Sequence, residues 1–226
     1  LDSFYMAIRS IMSNKLRSFL TMLGVIIGIA SVIILVAIGE AAKLYVVQQV
    51  KSWGIGPNVI QINPGKDNNP SSMLNSKIRL RDSVLIKNNC PSAAEVLPIV
   101  SGIAKVRYGK KEYSVNQAWG VTDVYNKIFS HKVVKGRFFN RGESEGSRKV
   151  AVIGEKAASE LFSGFDPIGE KIKIAGRKFT VVGLFEKKGK MLAFDMDDLV
   201  VMPITVAMNI FDTKGIIEID ASAKDD

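Results

Sequence analysis

From Ser18 to Gly39 the chain reads SFLTMLGVIIGIASVIILVAIG, with no charge between Arg17 and Glu40. At about 1.5 Å of rise per residue this is roughly 33 Å of helix. A bilayer's hydrocarbon core is about 30 Å thick. The core helix of a water-soluble domain rarely runs this long without a charge, so residues 18–39 are read as a transmembrane helix. Its flanks orient it. Arg9, Lys15 and Arg17 precede the span, and Asp2 is the one acid before it. Basic residues in a short leading segment stay cytoplasmic, which puts everything after Glu40 outside the cytoplasm. A cleaved leader is the rival arrangement. Its apolar region is normally about 7–15 residues and ends in a small-x-small site, whereas here GEAAKLYVVQQVKSW continues in helical pattern. An uncleaved anchor is the expectation.

Residues 1–17 form an amphipathic cytoplasmic segment, with Phe4, Ile8, Ile11 and Leu16 near one face, suited to lying on the membrane surface. The chain starts at Leu1, not Met, so part of the start is expected to be missing. Inside the span, Gly24 and Gly28 make a G-x-x-x-G pair that lets a second helix approach closely where lipid offers no hydrophobic drive. No charge lies mid-span, so nothing suggests an ion or proton path. Residues 40–56 continue as a helical stalk, with Leu44, Val47 and Val50 at helical spacing. Gly54, Gly56 and Pro57 end it.

Residues 57–226 read as one extracytoplasmic domain of short strands mixed irregularly with short helices, which is α+β and not a regular βαβ winding. NVIQIN at 58–63 is a strand, and residues 66–76 are a polar loop. A short helix over 82–89 takes Asp82 as N-cap. Strands at 95–108 and 112–121 form a hairpin, and Thr122 caps a short helix through Phe129. KVAVI at 149–153 leads into a helix at 155–162. Strands at 171–175 and 178–184 flank Ala175-Gly176-Arg177, and a strand at 199–202 precedes a helix at 204–211. The last strand is 216–222.

The chain carries a net charge of +9, spread along the domain without aromatic interleaving. That reads as surface solvation first and attraction to anionic lipid or envelope second, not as nucleic-acid binding. Cys90 is the one cysteine and reads as a small buried hydrophobe. His131 is the one histidine, with no clustered ligands for a metal. The run from Gly183 to Gly189 puts five residues between glycines where a Walker A loop needs four, and Met191 follows Lys190 where Ser or Thr would hold Mg²⁺. Trp53 to Asn58 ends a helix where a dinucleotide fingerprint would begin one. No G-x-S-x-G elbow is present; Ser101-Gly102 and Ser163-Gly164 read as ordinary turns. Asp195-Met-Asp197-Asp198 could offer oxygens to Ca²⁺, but loop ligation draws on six to eight of them, so a solvated loop is expected. No catalytic, cofactor-binding or metal-binding residues are assigned.

Several stretches, in order along the chain, carry a resemblance. They are AIRS at 7–10, NKLRSFLTMLGVIIG at 14–28, AIGE at 37–40, NVIQINPG at 58–65, GRFF at 136–139 and VAVIG at 150–154. LF at 161–162, DPIG at 166–169, FTVVG at 179–183 and MPIT at 202–205 complete the series. The chain resembles the MacB/FtsX-like permease subunits of ATP-binding cassette (ABC) systems. The resemblance implies a permease that works with an ABC ATP-binding subunit and pairs with a second permease subunit as a dimer. It couples ATP hydrolysis elsewhere to movement of its outer domain, in some systems with a membrane-fusion or adaptor protein. It also implies three further spans, so this chain reads as the N-terminal part, with the domain incomplete at its C-terminus. On that reading Arg9, Lys15 and Arg17 hold the cytoplasmic end and face the ATPase or membrane lipid, while Gly24 and Gly28 pack against neighbouring spans. A single-pass anchored binding or sensor domain without transport is the alternative. A secreted enzyme fits least.

Overall fold

The computed structural model describes residue 6 and residues 14–52, 58–64, 78–191 and 194–224. It divides into two units, Leu1–Gln49 and Val50–Asp226, each described by itself. Most of the expected amphipathic segment, including Arg9, lies outside the described residues, as do the stop at Gly54, Gly56 and Pro57 and the loop 66–76. The first unit is built on helix α1 (Lys15–Ser52), which Gly39 and Glu40 do not interrupt. It is about 57 Å long at ~1.5 Å per residue. Every backbone group of such a segment finds its partner within the helix. The hydroxyls do the same. Thr21 Oγ1 donates to the carbonyls of Arg17 and Ser18, and Ser31 Oγ donates to that of Gly28 at 2.8 Å. Leu20, Ile26, Ile29, Ile33 and Leu35 all stay exposed, so the apolar surface runs right round the helix. By length and composition Lys15–Val47 can cross a membrane.

The second unit is α+β, as expected. Strand β1 (Val59–Ile62) is followed by α2 (Leu80–Asn89), and the long β2 (Ala93–Tyr108) turns at Gly109 into β3 (Lys111–Val121). Next come α3 (Tyr125–Ile128), β4 (Val133–Gly136), α4 (Arg141–Glu145), β5 (Val150–Ile153) and α5 (Glu155–Phe162). Strands β6 (Lys171–Ile174) and β7 (Arg177–Phe185) precede the two-residue strands β8 (Lys190–Met191) and β9 (Phe194–Asp195). The described chain closes with β10 (Leu199–Pro203), α6 (Ile204–Ile210) and β11 (Glu218–Ala223).

The main sheet runs β1-β11-β2-β3-β10-β5-β7-β4, and β6 bridges β2 to β7. That bridge closes a ring of six strands, β2-β3-β10-β5-β7-β6 and back to β2. Strand side chains alternate between faces, and the inward set from all six strands meets in one cluster. It includes Val106, Val115, Ile153, Ile172, Phe179, Val181, Val200 and Met202. Helices α5 and α6 add Leu161, Phe162, Val206 and Ala207 to it. On the outward side Leu97, Ile99, Val121, Val201 and Phe185 are covered by Tyr125 and Ile128 of α3 with Phe129 and Phe139. A third cluster holds Val96, Val100, Ile216 and Ile219, with Leu80 and Ile86 of α2 against it. Strand β10 is therefore buried on both faces. The β6–β7 turn places Ala175 at φ 45° and Gly176 at φ 80°, a left-handed pair that glycine relieves at one of its two positions.

Several local expectations need correction. Asp82 is not the N-cap of α2. The helix begins two residues earlier, and the Asp82 carboxylate accepts the N–H of Arg79 at 2.7 Å. Thr122 does not cap α3: its hydroxyl is buried without a hydrogen bond, and Val124 occupies the cap position. Cys90 is exposed at the end of α2, because the helix turns that position away from the core. Ser101 and Gly102 lie within β2, where the register with β3 shifts. Ser163 is the left-handed C-cap of α5.

Candidate functional site

The sequence offers no catalytic constellation, so the polar groups that the fold buries are the places to look for chemistry. The acidic run at 195–198 is the first. Asp197 and Asp198 are 5% and 1% exposed, which overturns the solvated-loop expectation. The Asp197 carboxylate accepts the backbone N–H groups of Lys188 and Gly189 at 2.7 and 3.0 Å. Asp198 Oδ2 accepts Asn116 Nδ2 at 2.7 Å. Asp195 pairs with Lys156 Nζ at 2.9 Å. Burial pushes the Asp195 carboxyl up, but the hydrogen bond and charge of Lys156 outweigh it and hold the group below the ordinary carboxylate range. These oxygens are committed to protein donors, with Asp198 Oδ1 left over. The run ties the β7–β8 connection to the start of β10. It is not a cage for a cation, and among the described residues no group of three or more metal-ligating side chains comes together.

His131 is the second. It is 2% exposed and stacks on Phe185 with ring centroids 4.0 Å apart. Its Nδ1 lies 3.4 Å from the Tyr125 hydroxyl and its Nε2 3.3 Å from the Glu186 carbonyl. Burial, then the nearby Lys188 ammonium, lowers its pKa to about 4. The ring is neutral at neutral pH and sits in an aromatic stack of Tyr125, Phe129, Phe138 and Phe185. It is a core histidine.

The third was not signalled by any motif. Asp220 of β11 is fully buried, and neither carboxylate oxygen has a hydrogen-bond partner. It faces Gln61 on β1 and Leu97 on β2 across the ladder. Burial, then the neighbouring Glu218 carboxylate, raises its pKa to about 8, so it is a neutral acid through most of the physiological range. Gln61 Nε2 donates to Glu218 Oε1 at 2.7 Å instead.

Gly24 and Gly28 lie one turn apart on α1, and a Cβ built on either would meet nothing within 4 Å. Both lie on one face of α1, with no other described residue packed against them. Lys15 and Arg17 stand exposed in the first turn of α1; Arg9 is outside the described residues.

Residues 18–226 match the family described as the MacB-like periplasmic core domain. The chain belongs to this family. It is 32% identical over 230 residues to the macrolide export ATP-binding/permease protein MacB of Bdellovibrio bacteriovorus, covering all of this chain and 35% of that protein. It is 35% identical over 209 residues to the pyoverdine export ATP-binding/permease protein PvdT of Pseudomonas savastanoi pv. phaseolicola, covering 92% of this chain and 31% of that one. The chain thus spans about a third of the length of these curated relatives. Among solved structures, the periplasmic region of MacB from Actinobacillus actinomycetemcomitans superposes with TM-score 0.65 at 20% identity, over 76% of this chain and 78% of that one. The extracellular domain of the noncanonic ABC-type transporter YknZ from Gram-positive bacteria gives 0.61 at 17% identity, over 74% and 84%. These likenesses establish a MacB-like fold for the second unit. In this MacB-like domain Asp195, Asp197 and His131 join loops to strands and helices, while the Asp220 carboxyl stays without a hydrogen-bond partner.

Proposed function

We propose that the chain is the first membrane span and outer domain of an ABC-type export permease. ATP hydrolysis in a partner ATP-binding subunit moves the outer domain, and a second permease subunit completes a dimer. The reading is carried by one observation: the match to the MacB-like periplasmic core domain takes in both the apolar helix, exposed on all sides, and the α+β unit that follows it in the chain. Residues 18–39 span the membrane, 1–17 are cytoplasmic, 40–56 form the stalk and 57–226 lie outside. The chain itself performs no chemistry. Lys15 and Arg17, with Arg9, mark the cytoplasmic end toward the ATPase and lipid, and an adaptor protein engages the outer domain. The export functions named for the MacB and PvdT relatives supply the transport class.

Two experiments test the reading. With Cys90 replaced by Ser, Lys15→Cys and Lys224→Cys are probed in intact cells or spheroplasts with a membrane-impermeant maleimide. Labelling of Lys224→Cys from outside, and of Lys15→Cys only after permeabilisation, is expected; the reverse pattern overturns the topology. Crosslinking and co-purification then separate the permease from an anchored sensor. A permease brings down an ATP-binding subunit, and the double variant Gly24→Leu, Gly28→Leu loses its crosslinked dimer. A chain that copurifies with no ATP-binding subunit is a sensor or binding domain.

A further inference from the structure

The ring of strands has an outer wall that is covered at one end and bare at the other. Near Leu97, Val121 and Val201 it lies under α3. At the far end of β2, where Val106 points into the ring, Lys105 and Arg107 point out. Strand register puts Arg107 directly opposite Lys173 on β6, and Lys173 directly opposite Lys178 on β7. Three cations therefore stand in a row across three strands spaced about 4.8 Å apart. Lys171, two residues before Lys173, extends the same face. Like charges directly opposite one another destabilise a sheet. Yet among the described residues none of Arg107, Lys171, Lys173 and Lys178 has an acid within ion-pairing distance. Glu112 of β3, directly opposite Arg107 in the register, is 3.4 Å from Lys105. The acid stands at the β3 end of the row, opposite Arg107, and the β6–β7 part with Lys171, Lys173 and Lys178 carries positive charge alone.

Two features of the wall narrow what it meets. Four of its five cations are lysines, which protein–protein interfaces disfavour relative to arginine; lysine is a flexible point charge and not a fork for a fixed carboxylate. Beside the cations stands Ile103, 70% exposed on the same face. A row of basic side chains with an exposed apolar one at its end is a pattern that suits an anionic lipid surface. A second copy of this wall is excluded by its own charge. We propose that the outer wall formed by β2, β6 and β7 docks on an anionic phospholipid bilayer, with Arg107, Lys173 and Lys178 on headgroup phosphates and Ile103 at the acyl boundary.

The full chain, held in phosphatidylcholine nanodiscs, is mixed with large vesicles of phosphatidylcholine alone or of equal parts phosphatidylcholine and phosphatidylglycerol, and bound protein is read by flotation. Binding to the anionic vesicles only, weakening as salt rises, is expected. At about 1 kcal/mol per basic residue near the surface, Lys173→Glu with Lys178→Glu lowers the partition coefficient on the order of thirtyfold or more. Ile103→Ser lowers it at unchanged charge. Lys214→Glu with Lys224→Glu, the same change in net charge on exposed positions elsewhere, leaves most of the binding. An equal loss in both double variants, or no preference for anionic vesicles, overturns the proposal. Poly-glutamate binding in place of vesicles reassigns the wall to an acidic protein. None of these results bears on membrane topology or on an ATP-binding partner, so they are read independently of the proposed function.

Discussion

Two buried titratable side chains tilt the domain's stability in opposite directions with pH. His131 keeps a folded pKa near 4 against an unfolded value near 6.5, so the unfolded chain takes up its proton first as pH falls. The stability tied to neutral His131 is complete above about 6.5 and is lost toward 4, on the order of 3 kcal/mol in all. Asp220 is the reverse case, raised from 3.8 to about 8. Its contribution is complete below about 4 and declines as pH climbs to 8. Between about 4 and 6.5 the two slopes oppose each other, and above 6.5 the Asp220 slope stands alone. Urea midpoints measured from pH 4 to 8 are expected to stay nearly level up to about 6.5 and to fall beyond it in the wild type. In Asp220→Asn they rise up to about pH 6.5 and stay level above it, and in His131→Phe they fall throughout. Asp197→Ala is the third residue-scale test. It strips the acceptor from the Lys188 and Gly189 N–H groups, and with buried donors left unmatched the loss is on the order of 3 kcal/mol. An unchanged midpoint would mean that water replaces the carboxylate.

At the scale of elements, the contact of α6 with β3 depends on a missing side chain. A Cβ on Gly120 would lie 2.2 Å from Ala207 Cβ and 3.2 Å from the Ile204 Cα. Gly120→Val is expected to cost about 1–3 kcal/mol by forcing the helix outward, and Ala207→Gly in the same chain should restore part of it; thermal melts of the three variants decide. The elements also show what the sequence made legible. The β2–β3 hairpin, the β6–β7 turn and α5 are written in local pattern: alternation, turn glycines, and a helix-period run from Glu155 to Phe162. Helix α4 had a readable signal that was not used, since Asn140 and Glu143 form a capping box in which Glu143 N–H donates to Asn140 Oδ1 at 2.9 Å. Strand β4 had none. VVKG becomes a strand because β7 presents a free ladder edge to it, which is a tertiary fact. Asp220 was hidden for a similar reason. The alternation of EIDAS puts Glu218 and Asp220 on the polar face, and only the packing of β1, β2 and α3 around β11 turns half of that face into interior. The buried acids at 197–198 likewise look like loop residues until the backbone donors they serve are known. The long helix, by contrast, was legible from its uncharged apolar run.

For the molecule as a whole, ring closure predicts where the last protected amides lie. Strand β10 is hydrogen-bonded to β3 and β5 and buried on both faces. Its Val200 and Val201 amides should exchange only on global unfolding. Amides of β1 and β4, at the two ends of the sheet order, should exchange orders of magnitude faster. Hydrogen exchange followed by mass spectrometry checks this; uniform rates across β1, β4 and β10 would mean that the sheet opens as one cooperative unit. The closed ring also bears on how the domain takes a load. Asn58 leads straight into β1, whose four residues pair antiparallel with β11 from Val59–Ser222 to Ile62–Ile219. A pull directed along β1 would shear that ladder all at once instead of peeling it bond by bond. The tension passes sideways through β11 into β2 and is shared around a hoop without a seam. An open sheet can be unzipped from its edge; a hoop yields only when two of its ladders break together.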